Sequence, residues 1–124
     1  MGQWLIYLGC AVVVIWGVAH IVPTRAVVAG FGVLSEDNRR IITMEWVAEG
    51  LALAFIGALA LVVALVAEPG NAVAILVVRL SAAALVVFAG WTAIIGFATS
   101  VWPIKICPFV LTAAAAAIVA GTLL

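Results

Sequence analysis

The most informative segment of this chain is ITMEWVAEGLALAFIGALALVVALVAEPG, residues 42–70. It is mostly apolar over more than twenty consecutive residues, and about 20 helical residues cross a hydrocarbon layer of about 30 Å. Glu45 and Glu49 nevertheless stand near its start, although an ionisable side chain inside a membrane is expensive and usually functional. The segment therefore predicts a transmembrane helix with a polar site near one end.

The composition extends this prediction to the whole chain. Of the 124 residues, 69% are hydrophobic and only 8% are charged. A soluble domain of this size could not bury so much apolar surface. The formal net charge of zero argues against a nucleic-acid partner. The chain is therefore predicted to be an integral membrane protein.

Four apolar segments are long enough to span the bilayer, at residues 3–22, 41–67, 72–97 and 104–124, and the helices that contain them are predicted at residues 3–22, 36–67, 72–97 and 104–123. Each is assigned as a helix, because a backbone exposed to lipid must satisfy its own hydrogen bonds and the segments lack the alternation of a membrane barrel. The predicted fold is all-α. Residues 1–124 form one polytopic membrane domain with four transmembrane helices in an antiparallel bundle.

The connections between the segments differ in length. AEPGNA, residues 67–72, predicts a tight turn that makes the second and third helices antiparallel neighbours. PTRAVVAGFGVLSEDN, residues 23–38, is long and apolar, and predicts a loop that lies partly in the interface or folds back against the bundle. Ser35 is the expected N-cap of the second helix, with Glu36 and Asp37 in its first turn.

Basic residues indicate the orientation. Arg25, Arg39, Arg40 and Lys105 fall on the side of the first and third connections, and the other side has little besides Arg79. The positive-inside rule places the first side in the cytoplasm and both termini outside. The expected location is a bacterial inner membrane.

Glu45 and Glu49 lie one turn apart and share a helix face. Glu49 lies about 12 Å along the helix axis from Ile41, where the helix is expected to enter the lipid. Its candidate partners are His20 at the end of the first helix and Arg79, which could instead extend toward Glu68. We expect a polar pocket in the cytoplasmic half of the bundle, with Glu49, His20 and Glu45 as catalytic candidates.

Further side chains are expected in the same half of the bundle and are predicted to bind a ligand: Trp46, Thr92, Thr99, Lys105 and Trp102. Each has a simpler alternative. Tryptophans mark the headgroup level, threonines bond to the carbonyl one turn back, and Glu45 could pair with a nearby arginine. Cys10 and Cys107 are predicted at different depths, which excludes a disulfide. Cys107 is either a packing residue or a reactive thiol beside Lys105.

The segments GVAHIVP, residues 17–23, and RRIITMEWVAEGLALAFIG, residues 39–57, resemble the DoxX-like family of small membrane proteins. The shared pattern is a first helix that ends in a Gly- or His-containing stretch and a proline, a long first loop, and a second helix that opens with Glu followed by Gly. The resemblance covers about the first sixty residues and the four-helix layout. It implies a four-helix bundle related to the small subunit of a thiosulfate:quinone oxidoreductase, and it transfers no catalytic residue.

Two functional hypotheses follow. The pocket could bind a lipid or quinone-like ligand, with His20 and Glu49 in acid–base chemistry. Alternatively, the chain could be a non-catalytic subunit or assembly factor that packs its Gly and Ala surfaces against itself or a larger complex, including a redox complex. A metal site of His20, Glu45 and Glu49 is less favoured because no HxxxH or ExxH pair is present. A small multidrug transporter is less favoured still, because its membrane glutamate usually lies in the first helix. The sequence identifies no cofactor.

Overall fold

The computed structural model describes residues 2–124, and these residues form five helices. The helices are α1 (Gln3–Ile21), α2 (Thr24–Gly30), α3 (Glu36–Val66), α4 (Ala72–Gly96) and α5 (Trp102–Gly121). All except α2 are long and apolar enough to cross a membrane. The prediction of an all-α membrane protein with four spanning helices is confirmed.

The four spanning helices form a closed ring. α1 packs between α3 and α5, and α4 packs between α5 and α3. We call the end where α1 and α4 finish and α5 begins the site end. The opposite end contains residues 2 and 124 and the α3–α4 turn, and we call it the terminal end.

The core of the ring draws one or more large apolar side chains from every spanning helix. Val13, Leu53, Leu85, Leu111 and Ile118 are fully buried. The outward surfaces of the helices carry large apolar side chains that stay exposed, which is the distribution that a lipid environment favours. The bundle therefore has a dry core and an apolar exterior.

Glycines allow α1 and α3 to approach closely near the site end. A Cβ atom on Gly17 would lie 2.6 Å from the Gly50 carbonyl oxygen, and one on Gly50 would lie 2.9 Å from the Gly17 carbonyl oxygen. Farther along the same seam, a Cβ on Gly57 would lie 2.9 Å from the Cys10 carbonyl oxygen. Small residues at such positions let helix backbones touch. Gly50 and Gly57 of α3 are thus used for packing within the chain.

Side-chain caps stand at the starts of α3 and α4, and the one on α3 is the predicted Ser35 cap. The Ser35 hydroxyl accepts a hydrogen bond from the Asn38 N–H at 3.2 Å, and the Asn71 side chain accepts one from the Ala74 N–H at 2.9 Å. Between α3 and α4, Gly70 has φ +82°, a left-handed value that suits glycine. The predicted tight turn therefore has the expected chemistry, and α3 and α4 are packed neighbours.

The first connection differs from the predicted loop, because it contains α2. α1 ends before Pro23, the Thr24 hydroxyl donates to the Ile21 carbonyl, and the chain then forms a helix of seven residues. α2 packs against α3 and buries Val28, so the segment folds back against the bundle. A second difference is at α5, which begins at Trp102 rather than Ile104, because Pro103 is well suited to the first helical turn.

Candidate functional site

A cavity of about 510 Å³ lies at the site end and is lined by all five helices. Three tryptophans contribute to its walls: Trp16, Trp46 and Trp91. Its volume is within the range of about 300–1,000 Å³ that is usual for small-molecule sites. Trp91 is 67% exposed, so the cavity opens outward beside α4. The rest of the lining is mostly apolar and includes Val27, Ile95 and Ile104.

His20 and Glu49 form the polar part of this cavity. The His20 Nε2 atom lies 3.7 Å from the Glu49 Oε2 atom, and the two side chains are 13% and 36% exposed. This distance is too long for a direct hydrogen bond. His20 Nε2 is buried and has no hydrogen-bond partner among residues 2–124. Because buried polar atoms are normally satisfied, this nitrogen is available to a group that enters the cavity.

Trp46 fixes the position of His20. The two rings stack with centroids 4.0 Å apart and an angle of 15° between their planes. The Trp46 Nε1 atom also donates a hydrogen bond of 2.7 Å to the His20 backbone carbonyl. Trp46 therefore supports the imidazole from one side and, through the backbone, joins the end of α1 to α3.

Trp16 and Cys107 also line the cavity, although the predicted site did not include them. Trp16 Nε1 donates to the Cys107 Sγ atom at 3.4 Å. Trp16 lies four residues before His20, so helical spacing already placed both on one face of α1. Cys107 is buried beside the cavity and Cys10 is buried in the core, and both thiols are free. Cys107 therefore helps to orient Trp16.

Two predicted threonines line the cavity, but their hydroxyl hydrogens are already used. Thr92 donates to the Phe88 carbonyl at 2.8 Å, and Thr99 donates to the Gly96 carbonyl at 2.8 Å. The alternative interpretation, that these threonines bond to their own backbone, is correct. Their remaining role at the cavity wall is to present oxygen lone pairs.

Three other predicted site residues lie outside the cavity: Glu45, Lys105 and Trp102. Glu45 is exposed. α1 and α3 are antiparallel, and Gly17 contacts Gly50 while Cys10 contacts Gly57. This register puts Glu45 at the level of Val22, just beyond the end of α1 at Ile21. Lys105 is half-buried but does not line the cavity, and Trp102 is 70% exposed near the start of α5, as a headgroup-level residue would be.

Arg79 is not a partner of Glu49. Its Nε atom donates to the Thr122 Oγ1 atom at 3.0 Å, at the terminal end. Among residues 2–124 the ion pairs are His20–Glu49 and Arg40–Glu36, the second at 2.8 Å on the exposed surface of α3. Over the same residues, no three His, Cys, Asp or Glu side chains come together to hold a metal ion.

The geometry defines the protein as a four-helix membrane bundle with an aromatic cavity that holds a His–Glu pair. Comparison with protein-family models, curated proteins and solved structures found no match to the chain. The resemblance to the DoxX-like family therefore stays a prediction.

Proposed function

We propose that the protein binds an apolar small molecule, of the lipid or quinone class, in the cavity at the site end. The observation that carries this proposal is the buried His20 Nε2 atom, which lacks a partner and lies 3.7 Å from the Glu49 carboxyl group. The tail of the ligand would contact Val27, Ile95 and the tryptophans. Its polar end would complete the hydrogen bonding of His20.

The same pair supports acid–base chemistry on the bound molecule. An imidazole and a carboxyl group can both exchange protons with a ligand that lies within hydrogen-bond reach. In this proposal Glu49 contacts the reacting polar group, and His20 transfers a proton to it or from it. The stacked Trp46 ring keeps the imidazole in place while it does so.

The alternative, a packing subunit of a larger complex, is supported less well. That hypothesis relied on Gly and Ala surfaces for a partner. Gly17, Gly50 and Gly57 instead make close contacts between α1 and α3 of the same chain. Packing against a partner also does not account for the unpaired His20 Nε2 atom in the cavity. An association with a redox complex, as the DoxX-like resemblance implies, is compatible with either function.

We further propose that the protein resides in a bacterial inner membrane, with its site end toward the cytoplasm and both ends of the chain outside. The basis is the concentration of Arg25, Arg39, Arg40 and Lys105 at the site end. Ligands would then enter from the cytoplasmic half of the bilayer. Reporter fusions at residue 124 and at Gly32 test this orientation, and a cytoplasmic signal from residue 124 would overturn it.

Native mass spectrometry of the protein, purified in a mild detergent, tests the proposed binding. We expect the wild type to carry a small molecule that Glu49→Gln loses. Glu45→Gln is the matched control, because Glu45 is one turn away on α3 but outside the cavity. Retention of the molecule by Glu49→Gln, or a ligand-free wild-type protein that purifies as a defined oligomer, would overturn the proposal.

A further inference from the structure

Several side chains that line the cavity already donate their hydrogen bonds within the protein. The indole N–H groups of Trp16 and Trp46 donate to Cys107 Sγ and to the His20 carbonyl. The hydroxyls of Thr92 and Thr99 donate to carbonyls on α4. The donors that remain include the Trp91 indole N–H and the first-turn N–H groups of α5, which no side chain caps, and none of these carries a full charge.

The cavity also presents hydrogen-bond acceptors to a ligand. Glu49 presents carboxylate oxygens, and the nearby His20 Nε2 accepts a hydrogen bond when the proton of the neutral ring is on Nδ1. Pro108 lies inside α5 and has no N–H, so the Ile104 carbonyl loses the donor that a regular helix would supply. Ile104 lines the cavity, and its carbonyl oxygen lies against Gly96.

The charge of the cavity lining also favours a ligand that donates hydrogen bonds. Among residues 2–124, Glu49 is the charged side chain in the lining, and neither Lys nor Arg contributes to it. Three tryptophans line the same cavity as this carboxylate, and the faces of aromatic rings attract cations. A negative group within an aromatic wall favours a positively charged partner.

We infer that the polar end of the ligand is a protonated amine, so that the molecule is a cationic amphiphile. An alkylammonium group carries several N–H donors and can bond to Glu49 and to His20 Nε2 together, which are only 3.7 Å apart. The tryptophan faces add cation–π attraction. The inference rests on the proposed function and narrows it, since it assigns the molecule in the same cavity to the amine-bearing lipids rather than to the quinones.

The tryptophans allow a direct test. The protein contains five, of which Trp16, Trp46 and Trp91 line the cavity, whereas Trp4 and Trp102 lie outside it and are exposed. We would incorporate 5-fluorotryptophan, place the protein in nanodiscs, and titrate it with octylammonium, octanol and octyl phosphate while recording the fluorine spectrum. Trp4 and Trp102 report partition into the lipid, which all three probes share.

Octylammonium is expected to shift the three cavity resonances at the lowest concentration. Its affinity should fall about tenfold, or about 1.4 kcal/mol, in Glu49→Gln and stay unchanged in Glu45→Gln. Octyl phosphate that binds as tightly as octylammonium, or octylammonium binding that is the same in Glu49→Gln, would overturn the amine assignment. If octanol shifts the cavity resonances as strongly as octylammonium, the amine assignment fails and the cavity still binds apolar molecules. If no probe shifts them beyond the shifts of Trp4 and Trp102, the proposed function itself fails.

Discussion

The two ends of the bundle contain cavities of nearly equal size but different chemistry. The cavity at the terminal end measures about 500 Å³ against about 510 Å³ at the site end. Its lining includes Glu68, Asn71 and Thr122 but no aromatic side chain among the described residues. Its polar groups largely serve the fold: Asn71 caps α4, and Thr122 accepts from Arg79 while it donates to Val119.

Cavity volume alone therefore does not identify a binding site in this protein. At the site end, a buried imidazole nitrogen is left unpaired beside a carboxylate, and three tryptophans line the same cavity. At the terminal end, the Asn71 and Thr122 side chains form a helix cap and bonds at the end of α5. Four substitutions test this contrast through the free energy of unfolding.

The largest effect is expected at the α1–α3 seam that supports the site end. Gly17→Ala should lower the free energy of unfolding by about 1–3 kcal/mol, because the new methyl group would overlap backbone atoms of Gly50 and Ala54. Titration with a denaturing detergent, followed by circular dichroism, measures it. Gly90→Ala is the control, since nothing lies within 4 Å of its Cβ position. Equal stability of the two variants would mean that the seam is not a close contact.

A smaller effect is expected at the wall formed by Trp16 and Cys107. Cys107→Ala removes the acceptor of the Trp16 N–H and should lower stability by about 1 kcal/mol or somewhat more, the usual penalty for an unsatisfied buried donor. Cys107→Ser keeps an acceptor at the same position and should lose less. The same unfolding assay compares the two variants. If serine is no better than alanine, the sulfur does not act as an acceptor.

Glu49→Gln should change stability by less than about 1 kcal/mol, because the pair is separated by 3.7 Å and the Glu49 side chain is 36% exposed. A loss of about 3–5 kcal/mol would instead indicate a buried structural ion pair. The unfolding assay, run on protein stripped of ligand, separates these outcomes. Glu45→Gln, on the exposed side of α3, again provides the baseline.

The smallest effect is expected at the terminal end. Arg79→Gln removes an exposed hydrogen bond to Thr122, and we expect a change of no more than about 0.5 kcal/mol. The amount of copurified ligand, measured by native mass spectrometry, should stay at the wild-type level. Loss of ligand in Arg79→Gln would contradict the contrast between the two ends, because it would connect the terminal end to binding.

Much of the fold could be predicted from the sequence, because the length of an apolar run and its caps are local properties. The four spans, the Ser35 cap and the turn at residues 67–72 are examples. α2 was missed because a helix of seven residues is shorter than the usual periodic signal and depends on packing against α3.

The site was predicted only in part. Helical spacing placed His20 and Glu49 near each other, and the structure brings them together. Helical spacing could not predict that Glu49 lines the cavity and Glu45 does not, because this depends on where α1 ends beside α3. The partner of Arg79 and the contact between Trp16 and Cys107 depend on the order of helices in the ring, which periodicity does not determine.

The ring order also affects how the protein can be made. Of the four spanning helices α1 precedes the others along the chain, yet one of its two neighbours is α5, which follows the others. Spanning helices are stable individually and associate afterwards within the lipid. Until α5 has been inserted, one side of α1 has no partner and the wall of the cavity that contains Cys107 is missing. Ribosome-bound chains that lack α5 should therefore be membrane-integrated but unable to hold a ligand, and binding competence should appear only after α5 has been inserted.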